Sequence, residues 1–236
     1  MPPRTASAVQ RTFSSSVSRT YELVNHIITF GQDTLWRRRA AKIAASLGGT
    51  RWVDMCTGTG EMAAYLCQRA PEGTTIYAVD FSHPMMSEAV VKPEAESINF
   101  VVSDVKSLPF PDASLDLITI SFATRNINLS EDVLTQTFRE FHRVLKPGGH
   151  FVNLETSQPA SRIIRWLFHF FIKLIVNPVG SRISGSDGGY AYLSHTIPRF
   201  YPPEKLSSIM NQAGFENVTF RRMLLGAAAI HQAARL

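Results

Sequence analysis

Segments typical of β-strands and of helices alternate from residue 51 to residue 155, and this alternation constrains the fold more than any other feature of the sequence. Strands are predicted at residues 51–55, 75–79, 99–102, 115–121 and 150–155. Helices are predicted between them at residues 61–69, 84–91 and 131–145. Such alternation produces a parallel sheet with helices on both faces, joined by right-handed crossovers.

The flanking segments extend this pattern in a specific way. Residues 21–47 have helical spacing interrupted at Gly31, which predicts two N-terminal helices. Residues 157–202 are an aromatic-rich insertion, and a helix at residues 203–213 follows it. Two further strand candidates, at residues 218–223 and 227–231, form a late hairpin. A late hairpin is typical of the methyltransferase form of the nucleotide-binding sheet rather than of the dehydrogenase form.

These patterns predict an α/β fold. We expect a Rossmann-like, seven-stranded class I methyltransferase sheet with helices on both faces and an aromatic-rich insertion between strands 5 and 6. We also expect a flexible N-terminus at residues 1–20 and a single domain at residues 21–236. Within that domain, residues 157–202 would form the substrate lobe.

Charge and cysteine content indicate the cellular compartment in which the protein is expected. The net charge is +5, and no acidic residue precedes Glu22, whereas residues 2–20 are rich in serine and arginine. That composition suits either an organelle transit peptide or a flexible bacterial N-terminus, and its shortness favours the bacterial alternative. Without a secretory apolar region we expect a cytoplasmic protein, or a mitochondrial matrix protein if the source is eukaryotic. Cys56 and Cys67 are expected to be free thiols.

A glycine-containing loop follows the first predicted strand and opens a helix. It contains Thr57, Gly58, Thr59 and Gly60. Glycines there allow a ligand to approach the backbone, and the helix N-terminus offers free N–H groups. The third glycine of a dinucleotide-binding loop is replaced by Ala63, which disfavours a nicotinamide cofactor. The alternative is a plain tight turn.

Carboxylates end the second and third predicted strands. Asp80 lies 20 residues after Gly60, where a carboxylate can accept hydrogen bonds from ribose hydroxyls. Asp104 precedes Val105 at the end of the third strand, where an acid beside an adenine is expected for S-adenosylmethionine. Either aspartate alone could instead cap a helix. Together, at neighbouring strand ends, they favour a ligand site.

From residue 13 onward, the chain resembles the quinone-biosynthesis C-methyltransferases, which act on demethylmenaquinone and on methoxy-polyprenyl-benzoquinol. The segments that carry the resemblance are residues 53–60, 80–85, 108–112, 118–126, 143–149, 213–215 and 229–231, together with the motif at residues 190–193. The resemblance implies S-adenosylmethionine as cofactor. The positions assigned to the cofactor are Thr57, Gly58, Thr59, Gly60, Asp80, Phe81, Met85, Asp104, Val105 and Ser121.

Three short segments depart from the family pattern, in the part of the molecule where the substrate is expected to bind. Cys56-Thr57 replace two small residues before Gly58. Asp33-Thr34 stand where the family has a histidine–arginine pair, and Ser194-His195 stand where an acid is common. These changes leave the identity of the quinol open.

The chemistry requires an electron-rich ring carbon in line with the methyl group, and therefore a reduced quinol. The resemblance places Arg125 and Asn126 at the quinol, where Arg125 would stabilise a developing quinolate oxygen. His169 and Tyr190 from the insertion complete the predicted catalytic set, with Tyr192 beside them. The alternatives are a surface cation for Arg125, a turn cap for Asn126, and ordinary packing for the histidine and the tyrosines. No metal-ligand spacing is present.

Residues 162–175 have the pattern of a basic amphipathic helix. Arg162, Arg165, His169 and Lys173 form one stripe, with aromatic and aliphatic residues on the other faces. These charges argue against a membrane-spanning helix at this segment. The segment is predicted either to contact a membrane surface or to pack on the sheet as a lid.

The predicted function is C-methylation of a prenylated quinol, with demethylmenaquinol preferred. The alternatives are a methoxy-polyprenyl-benzoquinol of the ubiquinone branch, another phenolic acceptor, and a non-enzymatic quinone carrier on the same fold. The expected partner is a lipophilic small molecule and not a nucleic acid, and a homodimer is compatible with the sequence.

Overall fold

The computed structural model of the chain contains one seven-stranded sheet. It describes residues 15–176, 178, 182 and 187–236, with backbone alone at residues 15–21 and 187–191. The strand order is β3-β2-β1-β4-β5-β7-β6. Strands β1 to β5 pair in parallel, whereas β7 pairs antiparallel with both β5 and β6. The strands are β1 Arg51–Met55, β2 Thr75–Asp80, β3 Ile98–Val102, β4 Leu115–Ser121, β5 Leu145–Thr156, β6 Glu216–Met223 and β7 Ala228–Ala234.

Helices cover both faces of this sheet, as the alternation predicted. They are α1 Ser15–Ile28, α2 Gln32–Ser46, α3 Glu61–Cys67, α4 His83–Ala89, α5 Thr124–Ile127, α6 Glu131–Val144, α7 Arg162–Phe171, α8 Asp187–Thr196 and α9 Pro203–Gln212. A π-helical turn, Ile172–Val176, continues α7. Short 3₁₀ turns lie at Pro93–Ser97, Ile197–Arg199 and Leu224–Gly226. Among the described residues, no helix combines the length and apolar content needed to cross a membrane.

Each face of the sheet has its own hydrophobic core, formed with the helices that cover that face. On one face, Phe138 and Phe141 of α6 pack with Phe151 of β5, and α9 contributes Ile209. On the other face, Trp52 of β1 packs with buried residues of α2 and α3. Burial of β4 from both sides explains its nearly continuous apolar sequence.

A third, smaller core lies outside the sheet. Val24 and Ile28 of α1 pack against Ile172, Val176 and Leu193. Most of the segment between β5 and α9 is therefore anchored to the N-terminal helix, whereas Phe200, near its end, joins the sheet core that contains Ile209.

The final strands and the start of β5 differ from the predicted bounds. The turn-like sequence at residues 146–149 belongs to β5, which begins at Leu145 opposite Leu115. A register shift between Leu115 and Leu117 accommodates these additional residues. The salt bridge between Lys146 and Asp116, 2.6 Å long, fixes this end of the strand. Strand β7 continues to Ala234 and is not complete at His231, because it pairs on both sides.

Candidate active site

Two cavities open at the carboxyl ends of the parallel strands, where ligands bind in open α/β sheets. The first, called here the cofactor cavity, has a volume of about 340 Å³ and is lined by the loops after β1, β2, β3 and β4. The second, called the apolar cavity, has a volume of about 450 Å³ and lies between the N-terminal helices and α7. Arg37 and Phe122 line both cavities.

The glycine loop forms one wall of the cofactor cavity. Gly58 has a φ of 57° and Gly60 a φ of 81°, a region that favours glycine. A Cβ on Gly58 would meet Met85 Cε at 3.4 Å, whereas a Cβ on Gly60 would lie 2.9 Å from Ala89 Cβ. Gly60 itself does not line the cavity; its small size instead lets α3 approach α4.

Buried Asp54 holds the start of this loop. Its two carboxylate oxygens accept hydrogen bonds from Thr57 Oγ1 and Thr119 Oγ1, both 2.7 Å long. Burial raises the pKa of Asp54 to about 7. The loop is thus tied to β4 as well as to β1.

Asp80 ends β2 and faces the cofactor cavity. Its Oδ2 accepts the Gly58 N–H at 2.8 Å, and its Oδ1 accepts the Ser82 N–H at 2.7 Å. Burial raises the pKa of this carboxyl, against the opposing effect of these hydrogen bonds. A carboxylate has about four acceptor sites, so these hydrogen bonds leave acceptor capacity for a diol. Helix α4 begins at His83 with Ser82 as its N-cap residue, so Asp80 does not cap it.

The other predicted cofactor positions surround the same cavity. Asp104 is exposed and accepts the Lys106 N–H at 3.0 Å, while Val105 beside it is buried. Of the ten residues assigned to the cofactor from the sequence, nine line this cavity, namely Thr57, Gly58, Thr59, Asp80, Phe81, Met85, Asp104, Val105 and Ser121. A preformed wall of backbone N–H groups and two carboxylates fits a ligand that carries a ribose and an adenine.

The apolar cavity is lined almost wholly by hydrocarbon side chains. These include Ile28, Trp36, Phe168, Phe171 and Leu193. The charged residues among its described lining are Asp33, Arg37 and Arg125. Phe122, at the junction with the cofactor cavity, has a φ of 56°, so the backbone is strained where the two cavities meet.

Arg125 is a buried cation facing the apolar cavity, not a surface residue. Its Nη1 donates to Thr196 Oγ1 at 2.8 Å and to Asn126 Oδ1 at 3.2 Å. Its Nε lies 3.8 Å from Glu155 Oε1, and the Arg125 N–H donates to the other Glu155 oxygen at 3.0 Å. Asn126 lines the cofactor cavity, so the pair spans both sides of the site.

The remaining two predicted catalytic residues are placed differently. His169 lies on α7, hydrogen-bonded to Gln158 Oε1 at 2.8 Å, and is absent from the described lining of both cavities. Burial, together with Arg165, lowers its pKa. Tyr190 falls in α8, but its side chain lies outside the described residues. The geometry therefore offers no support for a role of His169 at the reacting atoms.

A buried charge network at the junction was not predicted as part of the site. Arg37 Nη1 lies 2.8 Å from Asp33 Oδ2 and 3.3 Å from Glu61 Oε2. His26 Nδ1 lies 2.8 Å from the same Asp33 oxygen. The spacing of four residues between Asp33 and Arg37 is visible in the sequence, as is the departure at Asp33. The proximity of Glu61 to these two residues is not visible in the sequence, because Glu61 lies on another helix, α3.

His26, Asp33 and Glu61 also bring potential metal-ligand atoms within 4.8 Å of one another. Both carboxylates already pair with Arg37, which neutralises one charge of the group. We therefore treat this group as an ion-pair network.

Comparison with known proteins agrees with this geometry. A family model described as "ubiE/COQ5 methyltransferase family" matches residues 4–235. A protein of Thermus thermophilus named demethylmenaquinone methyltransferase is 37% identical over 219 residues, covering 92% of this chain and 97% of that protein. A Desulfotalea psychrophila protein named ubiquinone/menaquinone biosynthesis C-methyltransferase UbiE is 34% identical, covering 94% of this chain and 88% of its own length.

Solved structures share the fold at lower identity. A S-adenosylmethionine-dependent methyltransferase of Aquifex aeolicus matches with a TM-score of 0.58 and 20% identity, over 84% of this chain and 89% of that one. A Thermotoga maritima structure, titled as a S-adenosylmethionine-dependent methyltransferase and possible histamine N-methyltransferase, has a TM-score of 0.62 and 18% identity, covering 94% and 98%. The chain therefore belongs to the ubiE/COQ5 methyltransferase family and is an enzyme that uses S-adenosylmethionine as its methyl donor.

Proposed function

We propose that this enzyme methylates a ring carbon of a prenylated quinol, and that demethylmenaquinol is its substrate. The observation that carries the proposal is an apolar cavity that meets the cofactor cavity at Arg37 and Phe122. An aromatic ring with a hydrocarbon tail can pack against such a lining. The few charged side chains of the lining can then orient the ring. Relatives named demethylmenaquinone methyltransferase support this choice of quinol.

The cofactor would occupy the first cavity. The free acceptor sites of Asp80 suit the ribose diol, and Asp104 with buried Val105 suits the adenine. The loop from Thr57 to Thr59 would contact the amino-acid portion, with Gly60 setting the loop conformation and Ser121 closing the opposite wall. Phe81 and Met85 would provide apolar contact.

S-adenosylmethionine supplies an electrophilic methyl group when it is bound. The protein's own task is to hold the ring carbon in line with that methyl group, and positioning of this kind can contribute on the order of 7–11 kcal/mol. The guanidinium of Arg125 would stabilise negative charge on a ring oxygen, in a cavity whose apolar walls exclude water. Asn126 would bridge the two cavities beside it.

A transfer assay with methyl-labelled S-adenosylmethionine tests the proposal. The purified enzyme is given reduced demethylmenaquinol, reduced methoxy-prenyl-benzoquinol and simple phenols, with Asp80→Ala as a cofactor-site variant. We expect label in demethylmenaquinol, and at least a tenfold loss of transfer in Asp80→Ala. Label in the benzoquinol alone would assign the ubiquinone branch. Label in phenols alone, or cofactor binding without transfer, would reject the quinol substrate.

We further propose that the rim of the apolar cavity contacts a lipid surface. Phe30, Leu224 and Leu225 line the cavity yet are 81%, 57% and 71% exposed. All three have positive φ values, of 53°, 41° and 55°, which cost roughly 1–2 kcal/mol for each residue. The backbone thus holds apolar side chains in water at the cavity opening, which favours an apolar partner.

Helix α7 extends this apolar rim. Ile163, Trp166, Leu167 and Phe170 are exposed rather than packed on the sheet, and the Trp166 and Phe170 rings stack at 5.8 Å. Arg162 and Lys173, at the two ends of the segment, are exposed and can meet anionic headgroups. A helix that served only as a lid would bury these residues. We propose a lipid surface as the partner because a prenylated substrate resides there.

Liposome co-sedimentation tests the lipid contact. We expect Trp166→Ser/Phe170→Ser to reduce binding to anionic vesicles at least fivefold. The matched control is Val91→Ser/Val102→Ser, which removes two exposed valines that do not line the apolar cavity. Equal binding by the wild type and both double variants would contradict the proposed contact, as would binding of the wild type to no vesicle.

A further inference from the structure

Asp33 lies where the two cavities approach each other. It is on α2, is only 2% exposed, and lines the apolar cavity. Its Oδ2 is 2.8 Å from Nη1 of Arg37, a residue that lines both cavities. A ring placed at the junction would therefore come within reach of this carboxylate.

Proton acceptors are scarce on this surface. Among the described residues that line the apolar cavity, the titratable side chains are Asp33, Arg37 and Arg125. Arginine remains protonated in proteins and is a poor base. Glu155 is paired with Arg125 and does not line the cavity, and no histidine is part of the described lining. Asp33 is the one side chain of this set that can accept a proton.

His26 connects Asp33 to solvent. Its Nδ1 is 2.8 Å from Asp33 Oδ2, and its ring is 36% exposed. Its Nε2 lies 3.6 Å from Glu61 Oε1. Thr29 Oγ1 donates to the other Asp33 oxygen at 2.7 Å, which fixes the carboxylate between the cavity and the histidine. A hydrogen-bonded path thus leads from the apolar cavity to water.

We propose that Asp33 accepts the hydroxyl proton of the methyl acceptor and that His26 passes this proton to solvent. The inference rests on the proposed function, because it requires an acceptor with a ring hydroxyl. The O–H bond breaks with its proton going to Asp33, while its electron pair enters the ring. The ring carbon forms a bond to the methyl group, and the C–S electron pair remains on sulfur.

The resulting keto form becomes aromatic again when the proton on the methylated carbon moves to the ring oxygen. In total, one proton leaves with each methyl group transferred. Once Asp33 is protonated, the exposed His26 ring exchanges protons with water so that its hydrogen lies on Nε2. Nδ1 then takes the Asp33 proton and Nε2 releases its own proton to water, so the network returns to its starting state.

A carboxylate with a lowered pKa suits a reaction in which the hydroxyl proton leaves while the methyl group is transferred. Burial would raise the pKa of Asp33, but Arg37, Thr29 and His26 outweigh it and hold the pKa below its usual range. The hydroxyl becomes much more acidic as the ring carbon takes up the methyl group, so proton transfer to a weak base is then downhill. Arg125 also faces the cavity, and Glu61 and Glu22 lie behind the network.

The first test measures single-turnover methyl transfer from pH 6 to pH 9 in the wild type and in Asp33→Asn. The variant leaves Arg37 paired with Glu61, so no buried charge loses all partners. We expect a loss of at least about 100-fold at pH 7. The deficit should shrink about tenfold per pH unit, because a quinol hydroxyl ionises unaided near pH 10, like other phenols. S-adenosylmethionine affinity should change less than threefold.

Controls separate a chemical role from a structural one. Asp132→Asn makes the same substitution at an exposed position of α6 and should leave the rates unchanged. Asp33→Glu keeps a carboxylate and should retain more activity than Asp33→Asn, with the wild-type pH profile. A deficit below threefold, or one that is constant with pH, would overturn the assignment.

His26→Ala provides an independent readout. Because the ring is partly exposed, added imidazole should reach the vacated position and restore at least half of the lost rate. Absence of rescue, with normal cofactor binding, would remove His26 from the proton path. Failure of the proposed function has a different signature, since the wild type would then transfer no label to any quinol.

Discussion

At the scale of single residues, the two glycines of the cofactor loop have different tasks that their sequence spacing does not distinguish. Gly58 lines the cofactor cavity, and a Cβ there would make ordinary contact with Met85. Gly60 faces Ala89 of α4, and a Cβ there would be 2.9 Å from the alanine Cβ. Gly58 therefore leaves room for a ligand, while Gly60 permits close packing of two helices.

This difference predicts the effect of Gly60→Ala. We expect it to lower the free energy of unfolding by about 2–3 kcal/mol, through strain at positive φ and the clash with Ala89. Gly73→Ala is the matched control, because Gly73 has the same φ of 81° with no atom near its Cβ. Urea denaturation should show that Gly60→Ala lowers the free energy of unfolding by at least about 1 kcal/mol more than the control does. Equal losses would show that helix packing does not depend on Gly60.

At the scale of elements, β7 joins the antiparallel hairpin to the parallel part of the sheet. It pairs with β5 and β6 along its length and is buried on both faces. His231 lies inside this strand, 1% exposed, with its Nε2 3.0 Å from the Pro203 carbonyl oxygen. Burial lowers the pKa of His231 to about 4. The histidine is thus neutral and fixes β7 to the start of α9.

This placement predicts acid sensitivity of the fold. The unfolded chain binds the His231 proton near pH 6.5, whereas the folded chain binds it only near pH 4. The associated stability is therefore present in full above pH 6.5 and is lost as the pH falls towards 4. The loss amounts to roughly 3 kcal/mol. Chemical denaturation from pH 4 to pH 8 should show a smaller loss for His231→Gln, whereas His83→Gln, at an exposed position, should behave like the wild type.

At the scale of the whole molecule, two cavities lie at one edge of the sheet. The loops after the parallel strands form the cofactor cavity, while α1, α2 and α7 enclose the apolar cavity over the same edge. At about 450 Å³, the apolar cavity has the size of a site for a small organic molecule. The proposed quinol would place its ring and the first part of its tail inside this cavity, and a longer tail would leave through the apolar rim.

The size of this cavity predicts how KM depends on tail length. In detergent solution, the first one or two isoprene units should each lower KM at least tenfold, because each buried CH₂ contributes about 0.8 kcal/mol. Further units should leave KM unchanged. Trp166→Ser/Phe170→Ser should not alter KM for short-tailed quinols, since neither residue lines the cavity. A KM that keeps falling with every added unit would show that the tail-binding surface extends beyond the cavity.

Much of the fold could be predicted because its signals are local. The strands at residues 51–55 and 115–121 have the predicted bounds, and the late hairpin is present. Nine of the ten predicted cofactor positions share one cavity, because loops at the carboxyl ends of parallel strands must meet at the same edge. The predicted strand ends differ from the structure where pairing with a neighbouring strand sets them. Examples are the start of β5 at Leu145 and the end of β7 at Ala234.

The sheet, its layers and the cofactor edge follow from local sequence patterns, since strand and helix periodicity and loop glycines act within a few residues. The apolar cavity and the charge network beside it arise from tertiary packing. Asp33, Arg37 and Glu61 meet because α2 packs against α3, and the apolar cavity exists because α7 is anchored to α1 instead of the sheet. Contacts between residues far apart in the chain depend on how whole helices pack, and no local pattern encodes that packing.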